Sequence, residues 1–254
     1  MSNRSSQLAA WLRQRAAIAG ADGIVVGLSG GIDSAVVIRL AQIATDGKVV
    51  GVMMPCHSDP RDEVDARLVA DHFAVPIMRI DLAPSYDRLV ADCRQAVEGV
   101  PGARAAAGAG ETPDPRSRLS LANVKPRLRM ATLYYVANTL NYLVAGTGNR
   151  SEITVGYFTK YGDGGVDVLP LGRLLKSEVC DLARELEVPE EVIVKAPSAG
   201  LWLGQTDERE MGFTYLDLEN YLTKGPDAVA PALAMRIERL VRASEHKRAL
   251  APMP

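Results

Sequence analysis

The sequence predicts an α/β fold built on a parallel sheet. Four short runs rich in β-branched residues, at 23–29, 48–55, 75–82 and 142–149, have the composition of buried strands. Segments with helical periodicity separate them, and strands joined by helices are typical of parallel sheets with right-handed crossovers. Gly-rich loops follow the first and the fourth strand. Because ligands bind at the carboxyl ends of such strands, both loops are expected at one functional edge.

The remaining elements follow from periodicity along the chain. Helices are expected at 4–19, 33–45, 60–74, 84–98, about 118–140, 173–187, about 214–223 and about 227–247. Residues 99–117 are Gly- and Pro-rich without periodicity, which predicts a mobile crossover. Residues 195–212 are also irregular and form either a lid over a ligand or a packed loop. Residues 1–254 are expected to form a single domain.

Composition excludes several classes of function. The 254 residues carry 29 Lys and Arg against 31 Asp and Glu, a net charge of −2 that argues against a nucleic-acid partner. We expect no membrane partner, because no apolar run approaches ~18 residues and the N-terminus lacks a signal-peptide pattern. Cys56, Cys93 and Cys180 are odd in number and far apart, which favours reduced thiols and a cytoplasmic location. Small-molecule ligands are therefore expected.

The loop GLSGGIDS, residues 27–34, has the form of a phosphate-binding loop. Consecutive glycines between a strand and a helix let backbone N–H groups converge on an anion at the helix N-terminus. Where a Walker loop has Lys, this loop has Asp33, and an anion beside phosphate requires a cation between them. We therefore expect Asp33 to bind Mg²⁺, with Ser29 and Ser34 donating to phosphate oxygens. The alternative is that Asp33 and Ser34 are only helix N-terminal residues.

Several motifs together resemble one enzyme family. SGGIDS is similar to the pyrophosphate-binding loop of the N-type ATP pyrophosphatases. Within that group, the chain resembles NAD synthetase through NVKPRLRM (123–130), GTGNRSE (146–152), GYFTKYGDGGVDVLPLGRLLKSEV (156–179), APSAG (196–200) and EHKR (245–248). The resemblance implies a doubly wound, five-stranded parallel sheet of the adenine-nucleotide α-hydrolase type. It also implies ATP-dependent amidation of deamido-NAD to NAD.

The implied chemistry explains the residue types. The nicotinate carboxylate attacks the ATP α-phosphorus and expels pyrophosphate, and ammonia then attacks the acyl-adenylate and releases AMP. Mg²⁺ and fixed cations stabilise the charge on the phosphate oxygens. Ammonia is the expected nitrogen donor, because glutamine-dependent members carry a long N-terminal amidase domain and the synthetase motifs here begin near the start of the chain. A separate amidase subunit remains an alternative.

The resemblance assigns roles to individual residues. Asp33 and Glu152 are implied as metal ligands, although Glu152 could be only a first-turn helix acid and Lys176 a solvated residue. The implied ATP contacts are Gly27, Leu28, Ser29, Gly30, Gly31, Ile32, Asp33, Ser34, Thr147, Lys176 and Ser198. The implied deamido-NAD contacts are Arg127, Lys160, Asp167, His246 and Lys247. The residues expected to act in catalysis are Asp33, Asp163, Lys160 and Lys176.

Asp163 has one expected role and one alternative. It is the candidate to bind ammonium and take its proton, and the alternative is a turn-forming Asp within GDGG. Two departures from the usual family pattern affect neighbouring positions. Pro126 replaces a common Ala and can start or kink a helix, while Asn149 and Arg150 differ from the GTDHAAE form of many ammonia-dependent members.

The resemblance also implies a homodimer with shared active sites. The segment 118–140 is apolar on more than one helical face, so part of it could cover a partner, or all of it could be buried within one chain. Two other functions stay open from the sequence. One is another adenylating ATP pyrophosphatase, and the other is a nucleotide-binding sensor without turnover.

Overall fold

The computed structural model describes residues 3–100, 115–202 and 204–253. Its sheet has four parallel strands, β1 (Gly23–Gly27), β2 (Val49–Met53), β3 (Ile77–Arg79) and β4 (Tyr142–Ala145), in the order β3-β2-β1-β4. All four strands lie within the expected segments. From β1 the chain adds β2 and then β3 on one side of the sheet, and it adds β4 on the other side of β1. The strand order therefore reverses between β1 and β4. In open α/β sheets that reversal creates a crevice for ligands.

The helices of the described residues include those expected from periodicity up to residue 223 and several short ones that periodicity did not predict. They are α1 (Asn3–Ala19), α2 (Ile32–Ala44), α3 (Pro60–Phe73), α4 (Ala83–Glu98), α5 (Pro115–Leu140), α6 (Arg150–Val155), α7 (Lys176–Glu185), α8 (Glu190–Ile193), α9 (Asp207–Met211), α10 (Tyr215–Lys224), α11 (Pro231–Ala243) and α12 (Glu245–Arg248). The expected single helix at 227–247 is wrong. A 3₁₀ turn at Pro226–Ala228 precedes α11, which starts at its own proline, and Ser244 separates α11 from α12. Proline favours the first position of a helix, so two closely spaced prolines start two separate elements.

The five-stranded sheet implied by the resemblance is not observed, and the sheet of the described residues has four strands. Beyond β4, the chain forms only an isolated parallel bridge between Ala145 and Val168, with a 2.8 Å hydrogen bond from Gly146 N to Val168 O. Pro170 follows two residues later and has no N–H to donate to a ladder. Pairing therefore stops after one bridge.

Helices cover both faces of the sheet, as the doubly wound prediction requires. Ile24 and Val26 of β1 belong to a buried cluster with α1, α2 and α7, whereas Val25 lies in a second cluster with Val144 and α5. This alternation follows from the two-residue period of a strand. Complete burial of each such side chain stabilises the fold by about 1.5–3 kcal/mol. A third cluster, including Leu218 and Ile237, packs α10 and α11 near α6.

The two segments expected to be irregular have different outcomes. Residues 101–114, most of the expected mobile crossover, lie outside the described residues. The segment 195–212 is irregular up to α9 and is tied to the rest of the protein at two points. Lys195 pairs with Asp62 and Asp65 of α3, at 2.8 and 2.5 Å, and Lys125 donates to Leu201 O at 2.6 Å. Among the helices that the structure describes, none is both long and apolar enough to cross a membrane.

Candidate active site

A cavity of about 650 Å³ lies at the carboxyl ends of the strands. Its walls include the loop after β1, the start of the loop after β4 and part of the segment 195–212. This is the position at which the strand order reverses, and it is where α/β sheets bind ligands. Both Gly-rich loops therefore lie at one edge of the sheet, as expected.

The loop between β1 and α2 has the geometry of an anion-binding turn. Helix α2 begins after Gly31, and no side chain caps its N-terminus. Gly30 has φ +76°, and a Cβ there would lie 2.3 Å from Asp62 O, so only glycine fits. The Ser34 hydroxyl donates to Gly31 O at 2.8 Å and lies 3.1 Å from Ser29 Oγ. These bonds order two hydroxyl groups beside a helix N-terminus, which is a favourable place for phosphate.

A buried ionic cluster adjoins this loop. Lys176 Nζ donates a hydrogen bond to Asp33 Oδ2 and lies 3.8 Å from Glu152 Oε1. Asn149 Nδ2 donates to the other Asp33 oxygen at 3.0 Å. The Lys176 side chain is only 7% exposed, so the interpretation of Lys176 as a solvated residue is wrong. The first turn of α7 thereby meets the first turns of α2 and α6.

Glu152 has the first-turn role weighed from the sequence, and its role as a metal ligand stays a prediction. Its backbone N–H donates to Asn149 Oδ1 at 3.1 Å, and its Oε2 accepts from Asn149 N at 3.2 Å, which completes a capping box at the start of α6. Its other oxygen faces Lys176. Asn149, at one of the positions that depart from the common family pattern, thus orients both carboxylates of the cluster.

The cluster carries more negative charge than Lys176 balances. Burial raises the pKa of Glu152 to about 8, with Asp33 adding to the rise and Lys176 opposing it. Burial alone would lower the pKa of Lys176, but Asp33 and Glu152 outweigh it and raise that pKa. Burial also raises the pKa of the nearby Asp207. Tyr215 links Asp207 to Glu152, because its hydroxyl lies 2.9 Å from Asp207 Oδ2 and 3.4 Å from Glu152 Oε1.

The carboxylates of this cluster fit a divalent cation that is bound together with phosphate. Asp207 is 3% exposed, and its Oδ1 has no hydrogen-bond partner among the described residues. The described residues contain no group of three metal-ligating side chains arranged around one point. Mg²⁺ commonly binds one or two carboxylates and completes its shell with water and substrate phosphates. Asp33 and Glu152 match that requirement.

Four other expected site residues line the cavity, namely Thr147, Asp163, Ser198 and Lys247. Lys247 Nζ donates to Gly156 O and Phe158 O, both at 2.7 Å. Asp163 Oδ1 accepts from Thr159 N at 2.9 Å, so this residue does form a turn while it also lines the cavity. Desolvation by the surrounding protein raises the pKa of Asp163, against the opposing effect of the Thr159 amide.

Five expected residues are not among those that line the cavity in the described structure: Gly30, Arg127, Lys160, Asp167 and His246. Lys160 Nζ donates to His246 O, and Arg127 Nε lies 3.4 Å from Lys160 O, so three of them form a separate surface group. Asp167 accepts from Tyr134 OH at 2.9 Å and from Val144 N at 2.8 Å. Its two oxygens therefore hold α5 and β4 together.

Sequence reasoning missed several charged residues of the cavity wall, among them Arg129, Lys195 and Asp207. Arg129 belongs to the recognised motif NVKPRLRM, so the motif itself could have drawn attention to it. Lys195 pairs with carboxylates 130 and 133 positions away in the sequence. No local pattern encodes such a pairing.

Comparisons with known proteins agree with this geometry. The NAD synthase family model matches residues 4–251. The NH(3)-dependent NAD(+) synthetase of Carboxydothermus hydrogenoformans is 49% identical, covering 99% of this chain and 96% of that protein. The corresponding protein of Syntrophomonas wolfei is 44% identical, covering 96% of this chain and 92% of its own length.

Solved structures show the same similarity. NMN synthetase from Francisella tularensis is 36% identical with a TM-score of 0.87, covering 99% of this chain and 97% of that chain. The NH3-dependent NAD synthetase from Campylobacter jejuni is 26% identical with a TM-score of 0.77 and the same two coverages. Sequence and fold agree with these proteins over almost the whole length, and the chain belongs to the NAD synthase family.

Proposed function

We propose that this protein is an NAD synthetase that uses ATP and ammonia to amidate deamido-NAD. The observation that carries the proposal is the contact between the phosphate-binding loop and the buried Asp33, Lys176 and Glu152 cluster. The two relatives described above, both NH(3)-dependent NAD(+) synthetases, support the same assignment. We also propose that the chain acts as one domain in the cytoplasm, where its three free cysteines would stay reduced.

The residues of the site suit adenylation of a carboxylate. The amides at the start of α2, with the Ser29 and Ser34 hydroxyls, would hold the departing pyrophosphate. Asp33 and Glu152 would hold Mg²⁺, which supplies charge neutralisation at the phosphate oxygens when bound. Lys176 keeps these carboxylates in place, and its ammonium group adds fixed positive charge beside the phosphates.

The second half of the reaction needs ammonia at the acyl-adenylate. Asp163 lines the cavity, and it is our candidate to bind ammonium and accept its proton. Attack on the carbonyl would then release AMP and leave the amide. Thr147 and Ser198 contact the nucleotide in this proposal.

We further propose a homodimer in which the partner completes the pyridine-nucleotide site. Arg127, Lys160 and His246 form a surface group outside the cavity lining, as residues that face a partner would. On the same helix as Arg127, Tyr135 is 74% exposed. An exposed aromatic side chain on the helix that carries Arg127 suits a two-fold interface.

A second candidate is the amidation of nicotinic acid mononucleotide, which lacks the AMP half of deamido-NAD. The similarity to NMN synthetase, at a TM-score of 0.87, favours it. Both reactions convert the same carboxylate to the same amide. They differ only in the length of the nucleotide that the site must accept.

Product analysis tests these proposals together. The protein would be incubated with ATP, Mg²⁺, ammonium and either deamido-NAD or nicotinic acid mononucleotide, and the nucleotides would then be separated. We expect NAD, AMP and pyrophosphate in equal amounts. ADP as the main product would contradict adenylation, and faster formation of NMN than of NAD would favour the second candidate. Turnover with glutamine as the sole nitrogen source would contradict ammonia dependence, and binding of ATP without turnover would indicate a sensor.

A further inference from the structure

Most of the cationic side chains that line the cavity are neutralised by carboxylates. Among the described lysine and arginine residues of the wall, Lys176 pairs with Asp33, Lys195 with Asp62 and Asp65, and Arg79 with Glu63. In this part of the structure, Arg129 and Lys247 have no carboxylate within ion-pair distance. Lys247 already has an expected role. Arg129 has none.

The environment of Arg129 fixes one side of its guanidinium group. Nε donates to Met54 O at 3.2 Å, and Nη2 donates to Ser58 Oγ at 3.1 Å. Within the described residues, Nη1 makes no hydrogen bond. A guanidinium group has five N–H donors in a rigid plane. The two bonds orient that plane, and they leave donors for a ligand in the cavity that Arg129 lines.

The energetics of this arrangement favour an anion. Enclosing a charge without a counterion is costly, and burial lowers the pKa of Arg129, against smaller opposing effects of Cys56, Asp163 and Asp62. Neither Asp163 nor Asp62 is close enough to form an ion pair. An oxyanion in the cavity, a carboxylate or a phosphate, would supply the missing charge and accept two N–H groups.

Arg129 lies apart from the Lys176 cluster. Met54, whose carbonyl it binds, follows the end of β2, whereas Asp33 and Glu152 follow β1 and β4. The cavity therefore has, on its β2 side, a guanidinium group without an ion-pair partner among the described residues. A ligand whose pyrophosphate is bound at the loop between β1 and α2 would place another of its oxyanions on the β2 side of the cavity.

We propose that Arg129 binds an oxyanion of a substrate, either a phosphate of ATP or the carboxylate of the pyridine nucleotide. This inference rests on the proposed function, because that function names the oxyanions present in the cavity. Both anions can accept two hydrogen bonds from one guanidinium group.

Equilibrium binding without turnover tests the proposal. Calorimetry would compare the wild type with Arg129→Met and Arg129→Lys, using ATP with Mg²⁺, deamido-NAD and NAD as separate probes. We expect at least about a tenfold loss of affinity for one acid-bearing probe in Arg129→Met, and a smaller loss in Arg129→Lys. Loss for deamido-NAD but not for NAD identifies the carboxylate, because NAD carries an amide at that position. Loss for ATP alone identifies a phosphate.

Controls separate binding from folding. Arg242→Met removes an arginine of α11 that is 81% exposed and paired with Glu238, and it should leave all three affinities unchanged. Equal affinities in wild type and Arg129→Met would overturn the proposal. An equal loss for all three probes, with a lowered unfolding midpoint, would show that Arg129 only holds Met54 and Ser58. If Arg129→Met does not fold, the same comparison is made with Arg129→Lys.

Because no turnover is needed, a protein that binds these nucleotides but forms no NAD would contradict the proposed function and leave the Arg129 result intact.

Discussion

Lys176 is held between two carboxylates, and its charge is almost inaccessible to water. Removing one partner of a buried ion pair costs more than the pair contributes, because the other charge stays buried and uncompensated. We expect Lys176→Met to lower the free energy of unfolding by about 3–5 kcal/mol. Urea denaturation measures this change. The double variant Lys176→Met/Asp33→Asn should recover part of the loss, since it removes the stranded charge; no recovery would contradict the pairing.

Asp33 and Glu152 provide the test of metal-dependent chemistry. If they hold Mg²⁺ against the phosphates, Asp33→Ala and Glu152→Ala should each reduce turnover about a hundredfold or more, equivalent to roughly 3 kcal/mol. Steady-state kinetics over a range of Mg²⁺ concentrations measure the effect. Asp181→Ala, at an exposed position of α7, should retain wild-type turnover. Near-normal rates for the first two variants would show that these acids are structural.

The raised pKa of Glu152 predicts a pH dependence of stability in the metal-free protein. Its folded-state pKa of about 8 lies above the ordinary value of the unfolded chain. The folded state therefore binds the proton more tightly, and this contribution to stability is complete at low pH and is lost as pH rises toward 8. Urea unfolding in the presence of a chelator at several pH values measures the slope. Glu152→Gln should reduce that slope, whereas Glu191→Gln on α8 should leave it unchanged.

At the scale of elements, the loop between β1 and α2 depends on the backbone of Gly30. A side chain there meets two obstacles, the positive φ and the carbonyl of Asp62 at 2.3 Å. We expect Gly30→Ala to weaken ATP binding about tenfold or more, because the first turn of α3 would have to move away from the loop. Gly47→Ala is a matched control, since Gly47 has φ +91° with open space around it. Similar effects of both variants on ATP affinity, measured by calorimetry, would contradict the role of the close contact.

The termination of the sheet is also decided at this scale. Residues 166–168 lie beside β4 but contribute one bridge, because Pro170 has no backbone N–H to continue the ladder. Gly146 has no side chain, and Val166 therefore packs close to its backbone. In this segment the Asp167 side chain accepts two hydrogen bonds, which link β4 to α5. A sequence pattern rich in β-branched residues does not distinguish a bridge from a strand.

At the scale of the whole molecule, assembly tests the proposed shared site. We expect sedimentation at micromolar concentration to give about twice the 27.3 kDa chain mass. Tyr135→Glu should reduce dimerisation and turnover together, because it places a charge at an exposed position of α5, the helix that carries Arg127. Ile18→Glu, an exposed apolar position on α1, should affect neither. A fully active monomer would refute the shared site without affecting the chemistry.

Strand positions, helix positions and the phosphate-binding loop could be predicted from the sequence because their signals are local. The periods of strands and helices mark buried faces, and Gly30 within residues 27–34 is required by a turn with positive φ. The predicted helix at 227–247 failed because prolines and Ser244 divide it. Arg127, Lys160 and His246 were assigned through the family resemblance, and the fold places them together outside the cavity lining.

The sequence by itself determined the α/β class and the family, and it predicted a phosphate-binding loop after β1. Only the tertiary structure decided which charges meet. Lys176 reaches Asp33 across 143 positions of sequence, and Arg129 lies over the end of β2 without an acidic partner among the described residues. The physical reason is that periodicity specifies which face of an element is buried. The partner across that face depends on how all the elements pack.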